Sequence, residues 1–406
     1  MTLSFQLSDP LVAYGRAIRE WSVAEVRPLA READERHAPP DNWKAVLEAC
    51  PVAIGRHDMR DVAAQPGFDE GKWVRDLVVT ENMSYGDHWI ASVSGAGIGH
   101  LVVRLMGTPA QVERWYRPIV ELGGQTAFAL TEPGFGSDTS MVSTTATRDG
   151  DTWVLNGTKM YCTDGGRADY VVVFASTDRA LGPSAIKAFV VPRGTQGFRV
   201  AKMNEDKMGI RSWITSELVF DDCAVPLDHQ LGFTGDLGEP ARTADGEAKT
   251  RSGRGGALGA LAQNKPNISA LGIAMAQASV DIATDLLYEE RAGFAPRRWG
   301  LIENDLGAMD AALQRCRRVN YRAQWLQDAK RANKTEASMA KAFAPPTCER
   351  IIRRCMQLLG PEGTSQELLL EKWYRDVKIL DIFEGSAQVQ RIIIARSLMG
   401  QDAGRG

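Results

Sequence analysis

The chain has 406 residues, a length that typically forms two or three domains and buries a large core without disulfides. Hydrophobic residues make up 44% and charged residues 24%, a composition that excludes a wholly disordered chain. The 48 basic and 51 acidic side chains leave a net charge of −3, so no nucleic-acid partner is expected.

The six cysteines and five histidines show no spacing typical of a disulfide framework or a metal site. No two cysteines form a C-x-x-C pair and no two histidines are four residues apart, so no metal is predicted. The N-terminal residues lack the basic flank and apolar run of a signal peptide, and no uninterrupted apolar stretch reaches about 18 residues. We therefore expect no membrane span and a cytoplasmic location.

The first part of the chain has a helical pattern. Apolar residues recur three and four positions apart between Leu11 and Ala33, as on one face of an amphipathic helix. The pattern continues to about residue 122 and predicts a helical domain over 1–122.

A β pattern follows. Asp149-Gly150 and Asn156-Gly157 are typical of tight hairpin turns, because these residues tolerate the positive φ angles that such turns need. Short apolar runs separated by Gly, Pro and Asp come next, at 170–174, 188–191 and 217–220. We predict a compact β-barrel or sandwich over 123–232.

The C-terminal part begins with a glycine-rich stretch, which predicts a loop over 233–263. Pro266 suits a first helical turn, and the helical runs after it predict a four-helix bundle over 264–406. Pro345-Pro346 is expected to break or kink the third run, because proline lacks a backbone N–H. The α–β–α order predicts an α+β multidomain fold rather than a Rossmann domain.

Two polar clusters follow predicted strands. In TEPGFGSD (131–138), the glycines at 134 and 136 let the backbone approach a flat ligand, although a β-turn explains them equally well. In YCTDGG (161–166), an aromatic ring beside a hydroxyl can stack on and hydrogen-bond to a planar ring, and a plain strand end is the alternative.

A third cluster, IFEGSAQ (382–388), places Glu384 between an apolar run and a helix start that Ser386 can cap. The carboxylate is either a desolvated general base or an ordinary first-turn acid stabilised by the helix dipole. The local sequence by itself favours the second interpretation.

Taken together, the three clusters resemble the acyl-CoA dehydrogenase flavoprotein family. The resemblance extends from about residue 8 to residue 400, in the order of the family. Its strongest stretches are AFALTEPGFGSD (127–138), GTKMYCTDGGRADYVVVFA (157–175), KMGIRSWITSELVFDD (207–222) and DVKILDIFEGSAQVQRIIIAR (376–396). It implies a helical domain, a middle β domain and a four-helix bundle, with FAD between the β domain and the bundle near a subunit interface.

The resemblance also implies roles for individual residues. Thr163 would donate to flavin N5, and Tyr161 stands where the family usually has tryptophan against the ring. Arg291 and Phe294 would reach the FAD of a neighbouring subunit. The implied FAD contacts are Phe128, Leu130, Thr131, Gly136, Ser137, Tyr161, Cys162, Thr163, Arg291, Phe294, Gln357, Gly360, Ser386 and Gln388, and the implied substrate contacts are Ser137, Lys265 and Gly385.

Glu384 falls on the position of the family's catalytic base. Some relatives carry the base on the first helix of the bundle, but that position here is Asn264, whose amide cannot serve. The implied reaction removes the α-proton of a saturated acyl-CoA, passes the β-hydride to flavin N5 and yields a trans-2-enoyl-CoA. The implied partners are an electron-transferring flavoprotein as acceptor and further copies of the chain, as a homodimer or homotetramer.

Two other functions stay open on the sequence. One is an acyl-CoA oxidase or flavin monooxygenase on the same scaffold, with O2 as acceptor. The other is a non-catalytic acyl-CoA-binding relative, which is suggested because Pro361 replaces a glycine near the adenosine end of FAD. Asp164 also departs from the family pattern by replacing an asparagine, and the loop over 231–263 is longer than usual.

Overall fold

The N-terminal part of the chain is helical, as predicted. A computed structural model describes residues 5–52, 68–233 and 253–400. The N-terminal helices are α1 Asp9–Trp21, α2 Ala30–Arg36, α3 Trp43–Glu48, α4 Lys72–Met83, α5 Ala91–Ser94, α6 Gly99–Met106, α7 Pro109–Gln111 and α8 Arg117–Leu122. Helix α8 stops at Gly123, whose left-handed φ of 86° suits a helix C-cap.

The middle part forms a curled β-sheet. Its strands are β1 Thr126–Ala129, β2 Thr145–Asp149, β3 Thr152–Thr163, β4 Tyr170–Ser176, β5 Ile186–Pro192, β6 Phe198–Lys202 and β7 Thr215–Pro226. They are hydrogen-bonded in the order β1-β4-β2-β3-β7-β6, and β5 also pairs with β4. The predicted turn at Asp149-Gly150 is confirmed, since Asp149 pairs with Thr152 across it.

The second predicted turn, Asn156-Gly157, is wrong. Strand β3 continues through both residues, and its register against β7 shifts there. Gly157 has a φ of 154°, and a Cβ added to it would lie 2.5 Å from Thr144 Oγ1. The pair is a β-bulge, because the backbone freedom that suits a hairpin turn also suits a bulge within a long strand.

The C-terminal part is helical, so the predicted fold class is confirmed: a helical N-terminus, a curled middle sheet and a helical C-terminal region. Its helices are α9 Gly253–Glu289, α10 Pro296–Asp328, α11 Lys334–Leu359, α12 Leu370–Leu380 and α13 Ala387–Leu398. The first hydrophobic core includes Trp89 from the N-terminal part and Trp373 from α12, both fully buried. The two helical parts of the chain therefore pack as one unit.

Two predictions about the bundle are wrong. The loop over 233–263 is helical from Gly253 onward, so α9 starts before Pro266; residues 234–252 lie outside the described residues. A Cβ on Gly256 would collide with the Met106 side chain, so this glycine serves close helix packing rather than a loop. Helix α11 continues through Pro345-Pro346, so the predicted break is wrong; buried side chains on both sides of the prolines hold the helix in place.

Helix α9 is long and apolar enough, over Gly255–Glu289, to span a membrane by length and composition alone. The bent pair His88–Ser94 and Gly99–Met106 passes the same test when it is counted as one span. However, 67% of the apolar window of α9 is buried inside the protein, as in the core helix of a globular fold.

Candidate active site

The loop between β1 and β2 is fixed by a buried ion pair. Lys159 Nζ on β3 lies 2.7 Å from Glu132 Oε1 and 3.2 Å from the Leu130 carbonyl oxygen. Ser143 and Thr144 each donate to the same carboxylate through the backbone N–H and the hydroxyl. Burial raises the pKa of Glu132, but Lys159 and these donors outweigh it and lower that pKa to about 2. These contacts thus connect the two ends of the loop to each other and attach the loop to β3.

The glycines of this loop are not required by the packing of the chain. A Cβ on Gly134 would meet nothing within 4 Å, and one on Gly136 would meet only Thr131 Cγ2, at 3.9 Å. Neither glycine has a left-handed φ. A loop whose backbone must come close to a flat bound group needs small residues, so the loop fits the predicted FAD contacts.

The end of β3 lies against this loop and contains left-handed residues. Tyr161 has a φ of 55° and Asp164 a φ of 61°, a conformation that most side chains avoid. The N–H of Met160 donates to the Thr131 carbonyl at 2.9 Å, and the neighbouring residue Tyr161 is 59% exposed. The Cys162 side chain is buried inside the sheet, so only its backbone can face a ligand. The structure therefore brings the first two clusters together.

Asp164 has partners within the chain. Its carboxylate accepts hydrogen bonds from Gln125 Nε2 and Arg167 Nε, both at 2.6 Å, and Arg167 also donates to the Ser92 carbonyl at 3.0 Å. Burial raises the pKa of Asp164, and Arg167 opposes this shift. The residue that departs from the family pattern thus connects the end of β3 to the N-terminal helices.

A tryptophan connects the end of β3 to the third cluster. Thr163 pairs with Thr215 at the start of β7. Trp213, two residues earlier, contacts the ring of Phe383 edge-on, with ring centroids 6.5 Å apart. Phe383 directly precedes Glu384. Sequence reasoning missed Trp213 as a site residue, although it lies in a stretch that carries the family resemblance.

Glu384 occupies the turn between α12 and α13. Its φ is 54° and that of Gly385 is 87°. The left-handed φ at 385 favours glycine, and Gln390 Nε2 donates to the Gly385 carbonyl at 3.0 Å. Ser386 Oγ accepts a hydrogen bond from Val389 N–H, so the predicted N-cap of α13 is confirmed. The turn is thus fixed on both sides of Glu384.

Two buried lysines face this turn. Lys341 of α11 is fully buried, with Nζ 3.4 Å from the Gly385 carbonyl oxygen, and Lys265 of α9 is 6% exposed. Burial raises the pKa of Glu384 to about 7, opposed by a hydrogen bond from Asn264 and by both lysines. Burial also lowers the pKa of each lysine to about 8. The carboxyl group titrates near neutrality, as an effective general base does.

Several predicted FAD contacts lie far from Glu384 within one chain. Asn264 of α9 contacts Glu384, and the C-terminal end of that helix, at Glu289, is roughly 38 Å from Asn264 at 1.5 Å per residue. Two of the contacts stack on Trp299 just beyond this far end, and two lie at the C-terminal end of α11. They are Arg291, Phe294, Gln357 and Gly360. Their assignment to FAD stays a prediction.

A fully buried charge network connects α12 to the rest of the molecule, and sequence reasoning missed it. Lys372 Nζ lies 2.7 Å from Asp87 Oδ2 and 2.8 Å from Asp376 Oδ2, and His88 Nε2 lies 2.8 Å from the same Asp376 oxygen. The N–H of Ile210 donates to the other Asp376 oxygen at 2.6 Å. The two aspartates and the histidine have the spacing of metal ligands, but the Lys372 ammonium already supplies the cation between the carboxylates.

Replacing Glu132 by glutamine should detach the loop between β1 and β2. Lys159 would keep a buried charge without its counter-ion, and we expect the free energy of unfolding to fall by about 3 kcal/mol. Urea denaturation measures the loss, and flavin absorbance of the purified protein should fall with it. The matched control is Glu121→Gln, an exposed glutamate on α8, which should change neither. Equal stability and flavin content in both variants would contradict a role for the ion pair.

Comparisons with known proteins agree with this arrangement. Residues 127–223 match the model of the acyl-CoA dehydrogenase middle domain, and residues 251–399 match that of the C-terminal domain. The short-chain specific acyl-CoA dehydrogenase of Rattus norvegicus mitochondria is 32% identical over 401 residues, which cover 98% of this chain and 92% of that protein. The caffeyl-CoA reductase–Etf complex subunit CarC of Acetobacterium woodii is 33% identical over 297 residues, 73% of this chain and 74% of that protein.

The fold is likewise similar to solved structures. Butyryl-CoA dehydrogenase from Megasphaera elsdenii superposes with a TM-score of 0.83 and 28% identity, over 98% of this chain and 100% of that one. The family is FAD-dependent, and relatives such as the Rattus norvegicus protein are named acyl-CoA dehydrogenases. The two matched domains, the relatives that cover almost the whole chain and the shared fold show that the chain belongs to the acyl-CoA dehydrogenase family.

Proposed function

We propose that the protein converts a saturated acyl-CoA to the trans-2-enoyl-CoA in an FAD-dependent reaction, with Glu384 as the general base. The α-hydrogen of a thioester is weakly acidic, and an ordinary glutamate with a pKa of about 4.3 is a poor base for it. The observation that carries the proposal is the mostly buried carboxyl of Glu384, whose pKa is raised to about 7.

The chain itself supplies the base and one donor for the developing negative charge. The Glu384 carboxylate accepts the α-proton. Among the described residues nothing accepts a hydrogen bond from the Glu384 backbone N–H, which can therefore donate to the thioester oxygen. Bound FAD supplies the acceptor for the β-hydrogen and its two electrons. The loop between β1 and β2 and the Tyr161 ring would hold this cofactor, and Trp213 with Phe383 would exclude water.

Anaerobic titration of the purified flavoprotein with saturated acyl-CoAs of different chain length and branching tests the proposal. We expect at least one of them to bleach the flavin absorbance and yield the enoyl product. A flavin that none of them bleaches would contradict the proposal. Peroxide formation in air without a protein acceptor would favour the oxidase alternative, and purified protein without flavin would favour the non-catalytic one.

The rate of this bleaching should rise with pH through about 7. Burial raises the pKa of Glu384, so its basic form is the minor form below that pH, and the rate constant should fall about tenfold per pH unit there. Anaerobic stopped-flow measurement across the pH range gives the midpoint. Reduction of the same protein by dithionite needs no base and serves as the control. A midpoint near 4.3, the value of an ordinary glutamate, would contradict the role of burial.

We also propose partners for the reaction. Four predicted FAD contacts lie far from Glu384 within one chain, which supports a homodimer or homotetramer in which a second copy supplies them. The relative CarC is named as a subunit of an Etf complex, which supports an electron-transferring flavoprotein as the electron acceptor.

A further inference from the structure

Asn264 contacts the proposed base directly. It lies on α9, and its Nδ2 lies 2.8 Å from Oε1 and 3.1 Å from Oε2 of Glu384. Within the described parts of the chain, no other side chain donates a hydrogen bond to this carboxylate. We propose that Asn264 is a positioning residue that fixes the orientation of the Glu384 carboxylate for removal of the α-proton. This role rests on the proposed function.

The contact constrains the last torsion of a side chain whose backbone is already fixed. The left-handed backbone at Glu384 and Gly385, with the hydrogen bond from Gln390 to the Gly385 carbonyl, fixes the backbone from which the Glu384 side chain projects. The Asn264 amide donates to both oxygens of the Glu384 carboxylate and so fixes the plane of that carboxylate. A base must lie within hydrogen-bond reach of the proton that it removes, and small misplacements lower rates strongly.

The charged groups around Glu384 act in a different way. Lys341 from α11 and Lys265 from α9 stabilise the carboxylate through their charge, without a hydrogen bond to it. Asp381, at the end of α12, faces Lys341, and Lys334 faces Lys265. These groups influence how readily the carboxyl loses its proton. Asn264 carries no charge and adds an oriented donor, so the two influences can be separated by substitution.

Asn264→Leu keeps the size of the side chain and removes the donor. Loss of a hydrogen bond to a charged group should lower the rate constant of anaerobic bleaching by about tenfold or more. It should also move the midpoint of the pH profile upward by about one unit, since the carboxylate loses a stabilising donor. The dissociation constant of the acyl-CoA should change by less than about threefold, because the residue orients the base rather than the substrate.

Two further variants keep the test decisive. Asn264→Gln retains an amide on a longer side chain and should restore part of the rate. Asn264→Ala removes the donor with a smaller side chain, and the midpoint should move upward as in Asn264→Leu. If the leucine variant does not fold, the alanine variant decides: a midpoint equal to that of the wild type would overturn the proposal.

A second readout needs no turnover. The carboxylate infrared band of Glu384, identified by subtracting the spectrum of Glu384→Gln, can be titrated in the FAD-bound protein without substrate. We expect a midpoint near pH 7 in the wild type and a higher one in Asn264→Leu.

The matched control is Gln263→Ala, next to Asn264 on α9. The side-chain amide oxygen Oε1 of Gln263 accepts a hydrogen bond from Arg104 at 3.3 Å, and loss of this contact should leave the rate and both midpoints unchanged. If folded, flavin-loaded Asn264→Leu had the bleaching rate and the midpoints of the wild type, the positioning role would be overturned. If no acyl-CoA bleaches the wild type, the proposed function fails, whereas the infrared midpoints still decide whether Asn264 controls the carboxyl.

Discussion

Glu384→Gln should abolish bleaching by acyl-CoA while the protein keeps its bound FAD. Glutamine has nearly the same size, and its carbonyl oxygen can still accept the hydrogen bond from Asn264, so the turn should keep its shape. An amide cannot take up the α-proton at neutral pH. General bases contribute about 10² to 10⁴-fold to rates, and we expect the bleaching rate constant to fall by at least about a hundredfold.

Stopped-flow bleaching under anaerobic conditions, with flavin content and melting temperature measured in parallel, checks this result. Glu367→Gln provides the matched control, because Glu367 is exposed in the segment before α12. It should retain the rate of the wild type. Full bleaching of Glu384→Gln at the rate of the control would show that another group removes the proton.

Lys372→Met should destabilise the protein more than any surface substitution. The change removes the ammonium from between the buried carboxylates of Asp87 and Asp376 and leaves His88 as the remaining side-chain partner of Asp376. Removal of one partner from a buried charge network typically lowers the free energy of unfolding by about 3–5 kcal/mol. Urea denaturation measures this loss, and flavin content should fall as well, since the network connects α12 to the β domain through Ile210.

Lys378→Met is the control on the same helix. Lys378 forms a partly exposed ion pair with Glu349 at 3.1 Å, and such pairs contribute little to stability. We expect the urea midpoint of this variant to stay close to that of the wild type. Equal midpoints for the two methionine variants would show that the buried network is not important for stability.

The three polar clusters could be found in the sequence because each is local. The glycines of the first, the strand end of the second and the N-cap of the third are set by neighbouring residues. The role of Glu384 was ambiguous locally, and only the order of all three clusters favoured a base. Its raised pKa depends on burial in the folded chain, which no local pattern contains.

The missed features depend on distant partners. Lys372 and Asp376 are four residues apart and have the spacing of a surface ion pair, and it is Asp87, far away in the chain, that makes them part of a buried network. Lys341 interrupts an otherwise apolar helix face, a signal that could have been noticed but that gives no partner. Asn156-Gly157 was misplaced because turn and bulge need the same backbone freedom, and only the pairing with β7 separates them.

At position 384, the left-handed backbone and the proposed role as a base favour different residues. A glutamate in this region costs roughly 1 kcal/mol that glycine would avoid. Stability alone would therefore favour glycine at position 384, whereas the proposed role of Glu384 as the base requires an acid there. If a duplicated copy of this protein no longer had to carry out the reaction, position 384 should be among the first to change. A change to glycine would make that copy more stable.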